Sequence, residues 1–294
     1  MTALSRYLDP EVLNRLAQRR IEPSQLVLGN LAGAHKSPSS GYAVEFAGHR
    51  EYVAGDDLKH LDWRVFYRRE KLFVKQYEME TNFVCHLVVD VSESMCYGDG
   101  PANKFDYASR LATTLSYAIL RQRDRVSFTT VDHQIRHALP TSGSLGQVLT
   151  IAEVLAHSAW GPHTDLPNCL NELAQRWGRR QIVMLVSDFL CDLPQLETSL
   201  QRLKYDRHQV VLFQTLHHDE MEFPLTGPVR FRGFEESQEL LTQADDIRQG
   251  YLQAFREHQQ QLIELTQRNQ CELVIIDTSR DLGLTLIDYL NQHV

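Results

Sequence analysis

Oxygen-bearing side chains follow an apolar stretch of strand length in the first third of the chain. Residues 83–89, FVCHLVV, lead directly to Asp90, and Ser92 and Ser94 come two and four positions later. Ligands of open α/β sheets bind outside the carboxyl ends of the strands, which is where these side chains would lie. A carboxylate with two hydroxyls suits a hard cation such as Mg²⁺. Taken alone, the stretch is equally compatible with a buried strand followed by a polar turn.

Two further oxygen-bearing residues are expected at the same edge of the sheet. Thr164 lies in the polar loop GPHTDLPN at residues 161–168, and Asp188 follows a second buried strand at residues 181–187. Because parallel strands end at one common edge, both residues can converge on Asp90. Thr164 is open to a second interpretation, in which it only assists Asp165 in capping the following helix. A degenerate site without metal is the corresponding alternative for the whole set.

The elements predicted after residue 83 would bring these residues together. Apolar stretches alternate with amphipathic helical patterns, and the strands are predicted at 83–90, 125–131, 134–138, 181–187, 209–215 and 271–277. Such alternation is typical of an α/β fold with a doubly wound, mainly parallel sheet and helices on both faces. We therefore predict a six-stranded domain over residues 83–294. Residues 1–82 are expected to form a helix and a small β-containing segment packed on that domain.

Charge limits the partners that the chain can bind. Hydrophobic residues make up 43% of the chain and charged residues 23%, as in ordinary soluble globular proteins. Residues 83–294 contain 18 Lys and Arg against 27 Asp and Glu. Contacts to nucleic-acid phosphates need a basic face, so a duplex nucleic acid partner is not expected.

The compartment follows from the apolar runs and the cysteines. No run approaches the ~18 apolar residues of a membrane helix, and the first residues lack the apolar core of a signal peptide. The cysteines form no CxxC pair, so neither a zinc site nor a disulfide framework is indicated. A cytoplasmic protein is expected, with five separate thiols at Cys85, Cys96, Cys169, Cys191 and Cys271.

The order Asp-x-Ser-x-Ser, then a loop threonine, then an aspartate after a buried strand resembles the metal-ion-dependent adhesion site of von Willebrand factor type A domains. The matching positions are Asp90, Ser92, Ser94, Thr164 and Asp188. The resemblance implies that residues 83–294 adopt that domain's fold and bind Mg²⁺, or Mn²⁺ or Ca²⁺ in its place. It also implies a coordination position left open for an Asp or Glu of a protein partner, and hence an interaction module rather than an enzyme.

The segment before this domain resembles an uncharacterised bacterial family that is usually encoded beside MoxR-type AAA+ ATPases. Its hallmark, Arg-x-Tyr-x-x-Gly-Asp-Asp followed by Asp-Trp-Arg, is matched by Arg50, Tyr52, Gly55, Asp56, Asp57, Asp62, Trp63 and Arg64. The resemblance implies an adaptor that works with such an ATPase in protein maturation or complex assembly. The charged residues of the hallmark are expected to form an internal ion-pair network, with a partner-binding patch as the alternative.

An enzyme is the second class of function to consider. Asp90 with Mg²⁺ could accept a phosphoryl group. Against this, a serine rather than a second carboxylate follows Val91, and no lysine is expected near Asp188. Walker A, GxSxG and HExxH motifs are absent from the sequence. A metal-free scaffold is a third possibility, if residues 217–244 cover the edge of the sheet.

Overall fold

The computed structural model describes residues 3–17, 19, 21, 44–53, 61–69, 71–79, 83–161, 163–232 and 239–291. The chain divides into two compact units. One is formed by Met1–Gly29 together with Phe83–Val294, and the other by Asn30–Asn82.

This division differs from the expected domain boundary at residue 82, because the N-terminal helices belong with the larger unit. The chain begins with α1 (Ala3–Tyr7) and α2 (Pro10–Leu16), and Asp9 caps α2 by accepting a hydrogen bond from the Glu11 amide at 2.8 Å. Helices this short are stable only when their apolar face is buried. They fill the core of the larger unit with Tyr7, Val12 and Leu16.

The smaller unit contains an antiparallel strand pair and a helix. Strand β1 (Val44–Glu51) pairs with β2 (Phe73–Met79), and α3 (Trp63–Arg69) lies between them in sequence. Asp62 accepts hydrogen bonds from the Arg64 amide at 2.9 Å and the Val65 amide at 3.3 Å, which caps α3. Its other oxygen lies 2.9 Å from His49 Nε2. The predicted turn and ion pairs of Gly55, Asp56 and Asp57 lie outside the described residues.

The described residues of the larger unit contain a six-stranded sheet, which confirms the predicted fold class. Its strands in chain order are β3 (Val84–Asp90), β4 (Arg125–Val131), β5 (Ile135–Ser142), β6 (Ile182–Ser187), β7 (Gln209–Leu216) and β10 (Glu272–Asp277). Their spatial order is β10-β7-β6-β3-β4-β5, and all neighbours are parallel except β4 and β5. This is the order of a doubly wound sheet, whose winding reverses between β3 and β6.

Helices cover both faces of this sheet. They are α4 (Lys104–Arg121), α5 (Gln147–Ala156), α6 (Leu166–Ala174), α7 (Leu193–Tyr205), α8 (His218–Glu222), α9 (Ala244–Arg268) and α10 (Leu282–Asn291). A hairpin of β8 (Pro228–Arg232) and β9 (Glu239–Gln243) precedes α9. Along β3, Leu87 and Val89 pack in one core cluster and Val88 in the other, because side chains alternate across a strand. In the part of the chain described, no helix has the length and apolar character needed to cross a membrane.

Candidate functional site

Asp90 ends β3 beside the point where the winding of the sheet reverses, and its side chain is fully buried. One carboxylate oxygen, Oδ1, accepts a hydrogen bond from the Ser92 amide at 2.9 Å. The other, Oδ2, accepts from Thr164 Oγ1 at 3.0 Å and from Ser187 Oγ at 2.7 Å. Crevices at this position of a doubly wound sheet are where ligands bind. Asp90 is therefore the centre of the candidate site.

The two serines after Asp90 are joined to the loop that carries Thr164. Ser92 Oγ and Ser94 Oγ lie 3.1 Å apart. The Glu93 amide donates to the Gly161 carbonyl at 2.8 Å, and the Gly161 amide donates to the Val91 carbonyl at 3.0 Å. A Cβ atom at residue 161 would overlap the Asp132 side chain, so only glycine fits there. The backbone contacts at Gly161 hold the loop that carries Thr164 against the turn that carries the serines.

Asp188 is also fully buried, but its carboxylate faces a lysine rather than the hydroxyl groups. Lys104 Nζ donates to Asp188 Oδ2 at 2.8 Å and to Glu220 Oε1 at 2.8 Å. The expectation of no lysine near Asp188 was therefore wrong, because the packing of α4 places its first residue at this edge of the sheet. Lys104 was detectable in the sequence as a cation on the apolar face of α4, one turn before Ala108.

The charges of the site influence one another. Burial, together with the neighbouring Asp188 carboxylate, raises the pKa of Asp90 to about 6, although hydrogen bonds from Ser187 and Ser92 oppose this. Burial alone would lower the pKa of Lys104, but Asp188 and Glu220 outweigh it, and the pKa of Lys104 is raised. Lys104 is therefore a buried ammonium ion at neutral pH.

Of the five predicted ligands, four lie in one hydrogen-bonded cluster. Asp90 and Thr164 are bonded directly, Ser92 is joined through its amide, and Ser94 through the hydroxyl of Ser92. The fifth, Asp188, acts on Asp90 through its charge. Sequence reasoning did not identify three participants, Ser187, Lys104 and Glu220. Ser187 could have been found as the last residue of the predicted strand that precedes Asp188.

The donor set fits a hard divalent cation. Among the described residues, no group of three or more His, Cys, Asp or Glu side chains could hold a metal ion, so any such site would depend on hydroxyl oxygens. Asp90 provides a carboxylate, and Ser92, Ser94 and Thr164 provide hydroxyls, which are oxygen ligands of the kind that Mg²⁺ accepts. A cation here would also relieve the repulsion between Asp90 and Asp188. Binding of the cation itself stays a prediction.

A cavity of about 320 Å³ opens beside Thr164. Its lining includes His163, Asp165, Asn168, Cys191 and Asp192. Within residues 217–232 and 239–244, the described part of the segment that could have covered the edge, none lines this cavity, and Glu220 reaches the site only through Lys104. The cavity gives another molecule a route to the threonine.

Comparison with known proteins identifies a family and several similar chains. The family model described as "Protein of unknown function DUF58" matches residues 48–261, which include all five predicted site residues. Uncharacterized protein Rv1480 of Mycobacterium tuberculosis is 25% identical over 224 residues, 75% of this chain and 70% of that protein. An aerotolerance-related membrane protein from Bacteroides fragilis, at 16% identity and TM-score 0.48, covers 71% of this chain and 99% of its own. The SpRpn10 VWA domain is 14% identical with a TM-score of 0.42, and the match covers 71% of this chain and 95% of that domain.

Proposed function

This chain belongs to the family described as protein of unknown function DUF58, and we propose that it is a cation-dependent protein-interaction module. Asp90, Ser92, Ser94 and Thr164 hold Mg²⁺, or Mn²⁺ or Ca²⁺ in its place, with Asp188 as the nearby second carboxylate. An Asp or Glu of a protein partner completes the coordination. The observation that carries this proposal is the convergence of three oxygen-bearing elements on the buried Asp90 carboxylate.

Several residues of the chain position the proposed cation site. Ser187 and the Ser92 amide orient the Asp90 carboxylate, and the Gly161 backbone contacts hold the threonine loop against the serines. A bound divalent cation would supply the positive charge that attracts a carboxylate. The cavity opens at Thr164, and it is the route proposed for the partner's side chain. Since Mg²⁺ requires about six oxygen ligands, this donor set leaves room for one from outside the chain.

We further propose that the partner is a MoxR-type AAA+ ATPase and that the chain acts as an adaptor in protein maturation or complex assembly in the cytoplasm. The partner is supported by the hallmark residues that end in Asp62, Trp63 and Arg64. The compartment is supported by the cysteines, all five of which are free thiols.

Removal of the Asp90 charge tests this function. In the wild-type chain, Mg²⁺ at a hundredfold excess over Kd should raise the free energy of unfolding by about 2.7 kcal/mol relative to chelator. Asp90→Asn should abolish this gain, because it removes the carboxylate at the centre of the donor set. Asp165→Asn is the matched control, since Asp165 lines the cavity without bonding to Asp90. Calorimetric titration and thermal melts provide the measurement.

The same variants test the partner. Capture of a co-expressed MoxR-type ATPase should require Mg²⁺ and should be lost in Asp90→Asn. Identical melts of the wild type in Mg²⁺ and in chelator would contradict the cation site. Hydrolysis of phosphoesters by the wild type that is lost in Asp90→Asn would favour the enzyme instead.

A further inference from the structure

We propose that Lys104 determines how strongly the site binds a divalent cation, because its ammonium group neutralises Asp188 and is shared with Glu220 on α8. This inference rests on the proposed function, since it concerns the same cation. It assigns a positioning role to a residue outside the predicted set of ligands.

The geometry of Lys104 is that of a built-in counter-ion. The side chain has 0% exposure and makes two hydrogen bonds of 2.8 Å, to the fully buried Asp188 and to Glu220, which is 16% exposed. A buried ammonium group that water cannot reach must be paired with an anion, because its burial is otherwise very unfavourable. Asp188 is held at its other oxygen as well, where Oδ1 accepts from the Leu190 amide at 3.2 Å. Asp188 is thus fixed toward the lysine.

The consequence for the site is a reduced negative charge. Asp90 and Asp188 would together present two negative charges to a cation, and the ammonium group of Lys104 compensates one of them. Coulomb attraction scales with that charge, so the cation is held more weakly than by two free carboxylates. A cation bound beside one uncompensated carboxylate keeps a net positive charge. That charge selects an anionic group from the partner.

Glu220 makes this compensation depend on a second element. Its Oε2 accepts from the His217 amide at 2.8 Å within the cap of α8, and its carbonyl accepts from Tyr251 Oη of α9 at 3.1 Å. Glu220 is therefore held in place independently of the site, and it draws part of the ammonium charge away from Asp188. Without Glu220, Lys104 would act on Asp188 alone.

Two substitutions with opposite expected effects test the inference. Lys104→Met keeps the length of the side chain without its charge, and it should lower the Kd for Mg²⁺ about tenfold or more while it lowers the melting temperature in chelator. Glu220→Gln keeps Lys104 and removes the competing carboxylate, so the Kd should rise several-fold. Calorimetric titration with Mg²⁺ measures both constants. A purely structural role would change the melting temperatures without moving the constants in opposite directions.

The tighter Mg²⁺ binding expected for Lys104→Met must also depend on Asp90. This tighter binding should disappear in the double variant Asp90→Asn with Lys104→Met. Tight Mg²⁺ binding by the double variant would show that Mg²⁺ simply replaces the ammonium group. That result would overturn the inference. If Lys104→Met does not fold, Glu220→Gln decides the matter on its own, and an unchanged Kd overturns the inference. If Mg²⁺ binding by the wild type requires Asp90 but the Kd is unchanged in both Lys104→Met and Glu220→Gln, then only the role of Lys104 is refuted. Absence of Mg²⁺ binding in the wild type refutes the proposed function together with it.

Discussion

Strand β3 carries two buried polar side chains, Asp90 and His86, which have different roles. Asp90 ends β3 among hydroxyl groups, whereas His86 lies inside the strand with 3% exposure. The His86 ring has a partner at each nitrogen, Ser127 Oγ at 2.5 Å and Gln181 Oε1 at 2.6 Å, and it stacks on Trp177. Both ring nitrogens of His86 are thus hydrogen-bonded inside the fold. This residue therefore belongs to the core and not to the site.

The neutral state of His86 predicts an acid-sensitive stability. Burial lowers the pKa of His86 from 6.5 to about 4. Between these values the unfolded chain binds more protons than the folded chain, so stability falls as the pH decreases from 6.5 to 4. At 1.36 kcal/mol per pKa unit, protonation of His86 lowers the free energy of unfolding by at most about 3 kcal/mol over this pH range. Denaturant unfolding at pH 7 and pH 4 measures the loss.

Two substitutions separate His86 from other acid-sensitive groups. His86→Gln should show a smaller loss of stability between pH 7 and pH 4 than the wild type. His137→Gln, at an exposed position of β5, should retain the full loss. A wild-type loss that persists unchanged in His86→Gln would contradict this assignment.

At the scale of elements, the site depends on the contact between the turn after β3 and the loop before α6. Ser92 and Gly161 form an isolated parallel bridge, and the two backbone hydrogen bonds on either side of it hold the loop. The Asp165 amide also donates to the Asp132 carbonyl at 2.9 Å, which ties the same loop to the end of β4. Three segments that are distant in sequence are thereby joined at one edge. Thr164 reaches Asp90 only because of this contact.

Enlargement of residue 161 should separate these segments. Gly161→Ala places a Cβ atom on the Asp132 side chain, and overpacking of this kind costs about 1–3 kcal/mol. The shifted loop should also weaken Mg²⁺ binding, because it carries Thr164. Gly250→Ala is the matched control, since it faces open space within α9 and should stabilise the chain by up to about 1 kcal/mol. Unchanged stability and Kd in Gly161→Ala would show that the loop does not position the threonine.

At the scale of the whole molecule, the N-terminal helices and the sheet share one core although residues 17–83 separate them in sequence. Val12 and Leu16 of α2 are each 4% exposed within the core cluster that also contains β3, α4 and α10. Arg6 forms an ion pair with Asp106 at 2.7 Å. Such surface pairs contribute little, so the buried apolar side chains hold these helices in place.

A core substitution in α2 should therefore destabilise the larger unit. Leu16→Ala is expected to lower the free energy of unfolding by about 2–5 kcal/mol, because it leaves a cavity in the shared core. Leu149→Ala on α5, where the leucine is 44% exposed, should cost less than about 1 kcal/mol. Denaturant unfolding compares the two variants. Equal and small losses would indicate that α2 is dispensable for the larger unit.

Sequence patterns were sufficient for the sheet and for most of the candidate cluster. The central strands β3, β4, β6 and β7 were predictable because a strand buried on both faces is a short apolar run bounded by polar residues. Asp90, Ser92 and Ser94 were predictable because they directly follow such a strand. The helices α1 and α3 were not predicted, since short helices carry too few apolar positions to define a period.

By itself, the sequence determined the doubly wound sheet and the residues that end its strands, because both depend on local apolar and polar patterning. Only the tertiary structure decided which groups those side chains face. It turned Asp188 toward Lys104, brought Glu220 to the same ammonium group and placed α1 and α2 in the larger unit. These pairings join residues far apart in the chain. They follow from how helices pack and where charges must be neutralised, which no local pattern encodes.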